Sequence, residues 1–344
     1  MSKKVLHITS LGIFIPDFIN LVKEKLDFTN HEFLITSSSD EDELISASNI
    51  YVSKRNIPSR IKYYYLVLFK AHKVDKIFIH GLFDFKIVLI LFFSPWLLKK
   101  CYWIIWGGDL YLRVLGLRSK SWYFKELIRH SVIKNFGHLV TYIPGDVALA
   151  RKWYGAKGVY HECLMYPSNT YKALDVPSTQ SDTINIQIGN SADPSNNHIQ
   201  ILEKLLPFKD ENIQIYAPLS YGDKSQAKEV IAKGKELFDD KFIALTDFMP
   251  FKEYLHFLGN IDIAIFNHKR QQAMGNTITL LGLGKTVFIR SDTTQWHFFK
   301  DKNIEIYDSI QLPSLDNKMH LDNTDRVKEY FSKENLKKQL KELF

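Results

Sequence analysis

The chain has 344 residues, of which 45% are apolar, and its formal net charge is +7. This is enough apolar material for one large core or two ordinary ones, and the length favours two domains. The two cysteines, Cys101 and Cys163, lie in apolar stretches, which argues against a disulfide framework or a cysteine metal site. Met1-Ser2-Lys3-Lys4 leads into VLHITS without a cleavable apolar region, so we expect a cytoplasmic protein.

Short apolar, β-branched runs alternate with helical patterns along the whole chain. Strands are predicted at 5–10, 33–37, 77–81, 101–107 and 138–143, and then at 184–190, 213–219, 242–248, 261–266, 286–290 and 304–308. This alternation predicts an α/β fold with two doubly wound, Rossmann-like domains that face a central cleft. We assign 1–166 to the first domain, 167–183 to a linker, 184–320 to the second domain and 321–344 to a helical tail.

The positive charge is concentrated in the first half of the chain. Residues 1–170 carry 23 Lys and Arg against 14 Asp and Glu, whereas the remainder carries 22 against 24. Such asymmetry indicates an anionic partner for one domain, either a membrane surface or a nucleic acid.

Two segments of the first domain bear on membrane contact. The longest apolar run, IVLILFFSPWLL at 87–98, is too short to cross a bilayer, which needs roughly 20 residues, and predicts a buried helix that ends near Pro95. Between 54 and 134, aromatic residues alternate with Lys and Arg at helical spacing, a pattern typical of a helix in a membrane interface. A plain surface helix is the alternative. Nucleic-acid binding competes, but no helix-turn-helix, zinc-finger or RNA-recognition signature supports it.

The strand ends of the second domain carry residues suited to a phosphate, because ligands bind beyond the carboxyl ends of parallel strands. Gly189, Asn190 and Ser191 open a polar loop that leads to a helix start, where free N–H groups favour an anion. The alternative is an ordinary turn with Ser195 as the N-cap of the next helix.

A second loop, NHKRQQAMGNT at 267–277, follows the strand at 261–266. Arg270 offers a forked contact to a diphosphate, and Gln272 an amide. Gly275, Asn276 and Thr277 could present N–H groups at the start of an apolar helix, although a solvated loop is the alternative. Two further donor-side candidates, Tyr221 and Phe248, lie at the ends of the strands predicted at 213–219 and 242–248.

In the first domain the strand ends carry His80, the pair Gly107 and Gly108 followed by Asp109, and Gly12. The glycines allow close approach of a ligand to the backbone. A lone histidine after a strand is usually structural, but a second titratable group at a neighbouring strand end favours a functional site. No DxD-type acidic pair follows a strand, so no metal site is predicted.

Several motifs together resemble the bacterial 4-acetamido-4,6-dideoxygalactose transferases, collinearly over about residues 75–300. They are FIHG (78–81), IWGGDLY (105–111), IGNSADPSNNHI (188–199), APLSYG (217–222) and RQQAMGNT (270–277). The resemblance implies a GT-B glycosyltransferase with the acceptor in the first domain, the nucleotide-sugar in the second, and no metal or other cofactor. It also implies a dTDP-sugar donor and an undecaprenyl-diphosphate-linked acceptor at the inner membrane, in enterobacterial common antigen or O-antigen synthesis.

The sequence departs from many GT-B enzymes at one position. Those enzymes carry a glutamate that holds both ribose hydroxyls, but here the matching position is near Thr279 and no acid lies between Asn276 and Gly284. A deoxyribose has no 2′-hydroxyl, so this departure is compatible with a dTDP donor.

The implied transfer needs a group that deprotonates or orients the acceptor hydroxyl. Asp109 is the first candidate and His80 the second, and Asp17 and Asp84 are next on the acceptor side, with Gly12, Gly107 and Gly108. A nucleotide-sugar-binding protein without turnover, or a GT-B-shaped epimerase, would keep the donor loops but would not need this group.

Overall fold

A computed structural model describes residues 3–12, 14–37, 47–116, 118–173, 182–312, 314–315 and 320–344, without the side chain of Phe251. The chain divides into two compact units. Unit 1 comprises residues up to Ser168 together with Lys333–Phe344, and unit 2 comprises Asn169–Ser332. Part of the predicted linker, 174–181, lies outside the described residues.

Unit 1 is built on a parallel sheet of seven strands. These are β1 (Val5–Ser10), β2 (His31–Thr36), β3 (Ile50–Ser53), β4 (Lys76–His80), β5 (Cys101–Ile104), β6 (His138–Val140) and β7 (Val159–His161). Its helices are α1 (Ile15–Lys25), α2 (Ile57–Ala71), α3 (Phe85–Phe93), α4 (Gly108–Leu115), α5 (Lys120–Asn135) and α6 (Pro144–Tyr154), with α13 (Lys333–Leu343) from the end of the chain.

Unit 2 repeats this architecture with six parallel strands. They are β8 (Ile184–Ile188), β9 (Ile213–Pro218), β10 (Phe242–Leu245), β11 (Ile263–Phe266), β12 (Thr286–Ile289) and β13 (Tyr307–Asp308). The helices are α7 (His198–Leu205), α8 (Lys224–Phe238), α9 (Phe251–Gly259), α10 (Met274–Gly282), α11 (Thr294–Asp301) and α12 (Leu321–Tyr330).

The strand orders are β3-β2-β1-β4-β5-β6-β7 and β10-β9-β8-β11-β12-β13. In each sheet the order reverses once, between β1 and β4 in unit 1 and between β8 and β11 in unit 2. Such a switch point leaves a crevice outside the carboxyl ends of the two strands, where ligands of this fold class bind. The predicted α/β class with two Rossmann-like domains is therefore confirmed.

The two faces of the unit 1 sheet differ in chemistry. Strand residues that face α2, α3 and α5 are mainly aliphatic and form the main core, among them Leu6, Ile8 and Ile79. The opposite face carries rings, including His7, Phe33, Phe78 and Tyr102, against which the terminal Phe344 packs. Alternate residues of a strand point to opposite faces, so one set of strands supplies both layers.

Local sequence explains where several helices begin. Asn56 and Asp84 cap α2 and α3 by accepting hydrogen bonds from the N–H groups of Ser59 and Lys86. Pro58 occupies the first turn of α2, where its missing N–H costs nothing. The predicted helix in the apolar run at 87–98 is α3, which ends at Phe93, before Pro95.

Candidate functional site

The two switch points collect most of the residues that the sequence singled out. In unit 1, Gly12 lies in the loop after β1, His80 is the last residue of β4, and Asp109 lies in the first turn of α4, after β5. In unit 2 the loops after β8 and β11 carry Asn190 and Arg270.

Asp109 is fully buried in the first turn of α4, and its carboxylate accepts hydrogen bonds from three N–H donors. One oxygen accepts from the backbone N–H of Leu82 at 2.8 Å and from the indole N–H of Trp103 at 2.7 Å. The other accepts from the backbone N–H of Trp106 at 3.0 Å. Asp109 therefore joins the loop after β4 to the loop after β5.

Burial raises the pKa of Asp109 above its ordinary value, although the three N–H donors and the charge of Arg129 act in the opposite direction. Gly107, with φ of 78°, makes the turn that brings the carboxylate inward. The sequence offered Asp109 as the group that deprotonates or orients the acceptor hydroxyl, but a buried carboxylate that already accepts from three N–H donors is better suited to holding the two loops together.

His80 belongs to a chain of hydrogen bonds that crosses the ring-bearing face of the sheet. The indole N–H of Trp106 donates to the hydroxyl of Tyr166 at 2.8 Å, and that hydroxyl lies 2.6 Å from Nδ1 of His80. Nε2 of His80 lies 3.0 Å from Nδ1 of His7, and Nε2 of His7 lies 2.9 Å from Nδ1 of His31. We call these five side chains the histidine relay.

The chemistry of the indole sets the direction of the protons in the histidine relay. An indole N–H only donates, so the Tyr166 hydroxyl accepts from Trp106 and can donate its own hydrogen bond to Nδ1 of His80. If every proton has an acceptor, His80 and His7 are then neutral and donate from Nε2. Burial agrees, because it lowers the pKa of His80 to about 3 and that of His31 to about 4, and lowers the pKa of His7 well below its ordinary value.

The other two acidic candidates of unit 1 differ in accessibility. Asp84 caps α3, and its second oxygen accepts from the hydroxyl of Tyr64 at 2.8 Å. Asp17 is exposed in the first turn of α1, directly after the loop that contains Gly12. Gly12 has open space where a side chain would stand. Among the four candidates, Asp17 presents the most accessible titratable side chain at the switch point.

In unit 2, Gln272 connects three strand ends. Its side-chain oxygen accepts from the hydroxyl of Ser195 at 2.7 Å, and its amide donates to Asn190 at 3.2 Å. Its backbone N–H donates to the side chain of Gln295, which opens α11 after β12, at 3.1 Å. Asn190 in turn donates to the hydroxyl of Tyr221 at 2.9 Å. The loops after β8, β9, β11 and β12 thus form one amide-rich network, which we call the unit 2 network.

Arg270 lies beside this network and already has an anionic neighbour. Its guanidinium is 3.5 Å from the carboxylate of Asp193, and it also donates to the carbonyl of Gln271 at 3.2 Å. Burial raises the pKa of Asp193, but hydrogen bonds from Ser195 and the charge of Arg270 outweigh it, so the net pKa lies below its ordinary value. A charged carboxylate therefore holds Arg270 at the switch point.

The first turn of α10 contains the predicted Gly275, Asn276 and Thr277, and the helix begins one residue earlier, at Met274. The first N–H groups of a helix have no intrahelical acceptor and suit an anion. Thr277 is buried, and its N–H and hydroxyl both bond to the carbonyl of Ala273. The N–H groups ahead of Thr277 are therefore the ones suited to an anion.

Ser191 and Phe248 complete the predicted donor side. Ser191 is buried and accepts from the side-chain amide of Asn196 at 3.3 Å. Phe248 is exposed in the loop between β10 and α9. The structure brings Ser191 into the unit 2 network and leaves Phe248 on the surface of its loop.

Two buried residues of unit 2 were not singled out from the sequence. They are His198 and Gln295. Among the described residues, neither ring nitrogen of His198 has a hydrogen-bond partner, and the side-chain nitrogen of Gln295 has none either. Burial lowers the pKa of His198 to about 4, so its ring is neutral. Gly189 lies directly against this ring, since a Cβ there would be 2.4 Å from Nε2. Buried unsatisfied polar atoms require an explanation, and a ligand is one.

Metal ligation is not indicated by the arrangement of side chains. In the part of the chain that the structure describes, no three His, Cys, Asp or Glu residues converge as a metal site would require. Arg270 and the first turn of α10 both follow β11 at its carboxyl end.

Comparison with known proteins identifies relatives over nearly the whole chain. Residues 7–341 match the family model described as 4-alpha-L-fucosyltransferase glycosyl transferase group 56. Among solved structures, the chain is similar to WaaG, a glycosyltransferase involved in lipopolysaccharide biosynthesis, at 11% identity and a TM-score of 0.63, covering 98% of both chains.

Two further structures have the same fold. One is sucrose-phosphate synthase from Thermosynechococcus elongatus, at 11% identity and a TM-score of 0.65 over 99% of this chain and 98% of the other. The second is a UDP-forming trehalose-phosphate synthase from Burkholderia xenovorans, at 8% identity and a TM-score of 0.66 over 99% of this chain and 98% of the other. At such low identity the likeness shows the fold alone, and that fold is GT-B.

Proposed function

The chain belongs to glycosyl transferase group 56, the family of 4-alpha-L-fucosyltransferases, and from this membership we propose its donor, acceptor and location. The protein is a hexosyltransferase with the GT-B fold. In our proposal it moves a 6-deoxy-acetamido hexose, such as 4-acetamido-4,6-dideoxygalactose, from a dTDP-sugar to an undecaprenyl-diphosphate-linked oligosaccharide. The product would enter O-antigen or enterobacterial common antigen synthesis.

The observation that carries the donor site is the unit 2 network around Gln272. Its amides and hydroxyls offer donors and acceptors to a base or a sugar, and His198 and Gln295 add buried polar atoms that have no hydrogen bond. The diphosphate would lie against Arg270 and the first turn of α10, where a cation and N–H groups meet. These groups also stabilise the charge that develops on the leaving diphosphate.

Thr279 supports a deoxyribose nucleotide. It stands near the position where many GT-B enzymes hold the two ribose hydroxyls with a glutamate, and its hydroxyl donates to the carbonyl of Gly275 at 2.9 Å. A short side chain that is bonded to its own helix offers no carboxylate to the ribose hydroxyls, and a deoxyribose, which has only the 3′-hydroxyl, gives up fewer contacts here than a ribose does.

For the chemical step we propose Asp17 as the group that receives the acceptor proton. The acceptor oxygen bonds to the anomeric carbon, the bond from that carbon to the dTDP oxygen breaks, and the hydroxyl proton passes to the carboxylate. Asp17 is exposed at the switch point of unit 1, whereas the carboxylate of Asp109 is enclosed by N–H donors. Asp109 and His80 then act by positioning the loops after β4 and β5.

Membrane association is proposed from the outer surface of one layer of helices. Helices α2, α3 and α5 cover the aliphatic face of the unit 1 sheet with their buried sides. Their outer sides, together with the 3₁₀ turn that follows α3, expose large apolar residues: Ile57, Ile61, Tyr65 and Phe69 on α2, Phe93 at the end of α3, Trp96 in the turn, and Tyr123, Phe124 and Leu127 on α5. Interspersed Lys and Arg suit anionic headgroups.

The same helices are too short or too polar to span a bilayer. Among the described residues, no helix combines the length and apolar content that crossing requires. In our proposal the protein lies at the cytoplasmic face of the inner membrane and contacts it through the helix layer. Because the chain belongs to a transferase family, neither the non-catalytic binding protein nor the epimerase is retained as an alternative.

Calorimetric titration with dTDP tests the donor site. Wild-type protein is expected to bind dTDP in preference to UDP, GDP and CMP. Arg270→Ala should weaken dTDP binding by about 1.5–3 kcal/mol, the value of a hydrogen bond to a charged group. Lys233→Ala, which removes an exposed cation paired with Glu236 on α8, is the matched control and should bind normally.

The titration contradicts the proposal in two ways. Equal affinity for all four nucleotides would reject the dTDP preference. An Arg270→Ala variant that binds dTDP like the wild type would remove Arg270 from the diphosphate site.

A further inference from the structure

Three aromatic rings surround the carboxyl ends of β1, β4 and β5. Phe14 precedes α1, Phe83 follows β4 and Trp106 follows β5. Phe14 is 43% exposed to solvent and Phe83 is 48% exposed, whereas Trp106 is half-buried. Large apolar side chains at a strand-end crevice, and not in the core, mark a surface that is suited to a ligand.

The Trp106 ring neighbours both of the other rings. The Trp106 ring centroid is 6.4 Å from that of Phe14 and 6.0 Å from that of Phe83, both at steep interplanar angles. Gly81, with φ of 75°, leaves the space that this arrangement needs, because a Cβ there would be 2.7 Å from the Phe83 ring and 3.3 Å from the Trp106 ring. A side chain at 81 would push the rings apart.

The other members of the histidine relay hold the indole of Trp106. Its N–H donates to Tyr166, and the Tyr166 hydroxyl is held by His80 on the sheet. The backbone N–H of Trp106 also donates to the buried Asp109. The ring is thus fixed at its nitrogen edge and at its backbone, so part of the indole surface stays available in one orientation.

We propose that Phe14, Phe83 and Trp106 form a platform for a pyranose ring of the acceptor saccharide. The apolar C–H face of a pyranose can be buried on aromatic faces while its hydroxyls stay at the polar edge. Asp17 lies three residues after Phe14, about one helical turn away on α1, where a carboxylate can meet such a hydroxyl. The inference rests on the proposed function, since the saccharide class follows from hexosyl transfer.

The experiment uses a defined panel of pyranosides. Methyl glycosides of glucose, galactose, mannose and their 2-acetamido analogues are titrated against the full chain labelled with ¹⁵N, and the six tryptophan indole N–H signals are followed. Trp106→Phe assigns the Trp106 signal. At least one glycoside should shift that signal saturably. Trp106→Ala and Phe83→Ala, followed through the backbone amide signals that the same glycoside shifts in the wild type, should each bind it roughly three- to tenfold more weakly.

Two controls separate the platform from general effects. Tyr65→Ala removes an exposed ring on α2 and should leave glycoside binding unchanged. Tyr166→Phe removes the hydroxyl that holds the indole, so it should shift the Trp106 signal in the free protein and weaken glycoside binding.

The outcomes distinguish the platform from the donor proposal. If no glycoside shifts the Trp106 signal, or if binding survives Trp106→Ala, the platform is rejected even where dTDP binds normally. If glycosides bind as expected but dTDP does not, the platform stands as a saccharide site and the proposed donor fails.

Discussion

Burial and hydrogen bonding determine which role the Asp109 carboxylate can have. Directly after two glycines it looks like an open catalytic group, but the fold surrounds it with N–H groups of Leu82, Trp103 and Trp106. A carboxylate with three such donors ties loops together effectively. Asp17 has the opposite environment, being exposed in the first turn of a helix.

Paired substitutions separate these roles. Asp17→Asn should lower turnover by about 10²–10⁴-fold, because the proton acceptor is lost, and should change the free energy of unfolding by less than about 0.5 kcal/mol. Asp109→Asn should destabilise the protein by about 2–3 kcal/mol, since an amide has one acceptor oxygen and its NH₂ would face an N–H donor.

Turnover assays and urea unfolding of both variants check this prediction. Five of the six tryptophans lie in unit 1, so tryptophan fluorescence reports mainly on its unfolding. A stable Asp109→Asn variant without activity would instead make Asp109 the base.

Gly189 shows a second residue-scale constraint, since its φ is positive and its Cβ position is filled. Gly189→Ala would bring a methyl group 2.4 Å from His198 and 2.7 Å from Asn196. Gly155 has nearly the same φ, 62° against 63°, but open space around it. Gly155→Ala therefore measures the cost of the backbone conformation alone, about 1–2 kcal/mol.

Gly189→Ala should cost about 1–3 kcal/mol more than Gly155→Ala, because the neighbouring side chains must also move. The difference is measured as the free energy of unfolding by urea, followed by circular dichroism. Equal costs for the two variants would show that the His198 ring yields without strain.

At the scale of elements, neighbouring strands assemble the histidine relay. His7, His31 and His80 come from β1, β2 and β4, whose parallel register places His7 between the other two. Their pKa values are lowered because burial disfavours the charged form. The folded protein therefore takes up no proton at these rings until the pH is near 4, whereas an unfolded histidine does so near 6.5.

Stability should accordingly fall as the pH is lowered from about 6.5 towards 4. Each histidine of the relay contributes up to about 1.4 kcal/mol per pH unit in that window, because the unfolded chain binds more protons than the folded one. Urea titrations at pH 7.5, 6 and 5 measure the slope. His80→Asn should reduce the slope by up to about 1.4 kcal/mol per pH unit, while His256→Asn, which replaces an exposed ring on α9, is the control. An unchanged slope in His80→Asn would contradict a buried neutral His80.

Two strands were not predicted from the sequence, and their positions in the sheet explain why. Strands β3 and β7 form the two edges of the unit 1 sheet. They span only Ile50–Ser53 and Val159–His161 and are mostly half-exposed or exposed, so neither shows the apolar run that marks an interior strand.

At the scale of the whole molecule, the excess positive charge lies in the half of the chain that carries the exposed apolar helix layer. On α2 the exposed Ile57, Ile61, Tyr65 and Phe69 recur every four residues, which makes one stripe along the helix. Apolar stripes beside cations are typical of surfaces that enter a membrane interface.

Binding to vesicles tests this surface. Wild-type protein should bind phosphatidylglycerol vesicles at low salt and dissociate as the ionic strength rises, because salt screens exposed charges. The double variant Ile61→Ser, Tyr65→Ser should bind about tenfold or more weakly, since each change removes exposed apolar area. Leu321→Ser, an equally exposed apolar residue on α12, is the control. Binding to DNA but not to vesicles would favour the nucleic-acid alternative.

The sequence by itself determined the α/β class, the two Rossmann-like domains and the transferase family, and all three are confirmed. It did so because buried parallel strands leave continuous apolar runs and because strand-end motifs are contiguous in sequence. The donor sugar, the nucleotide and the membrane remain predictions.

Only the tertiary structure decided how the candidate residues are used. The hydrogen-bond partners of His80 are separated from it by 73 and 86 positions in the sequence, and those of Gln272 by 77 and 82 positions. No local sequence pattern predicts such pairs. Burial of the Asp109 carboxylate and exposure of Phe14 and Phe83 likewise depend on which strands become neighbours. Local chemistry fixes the elements and their ends, whereas the solvation and partners of a side chain are set by long-range packing.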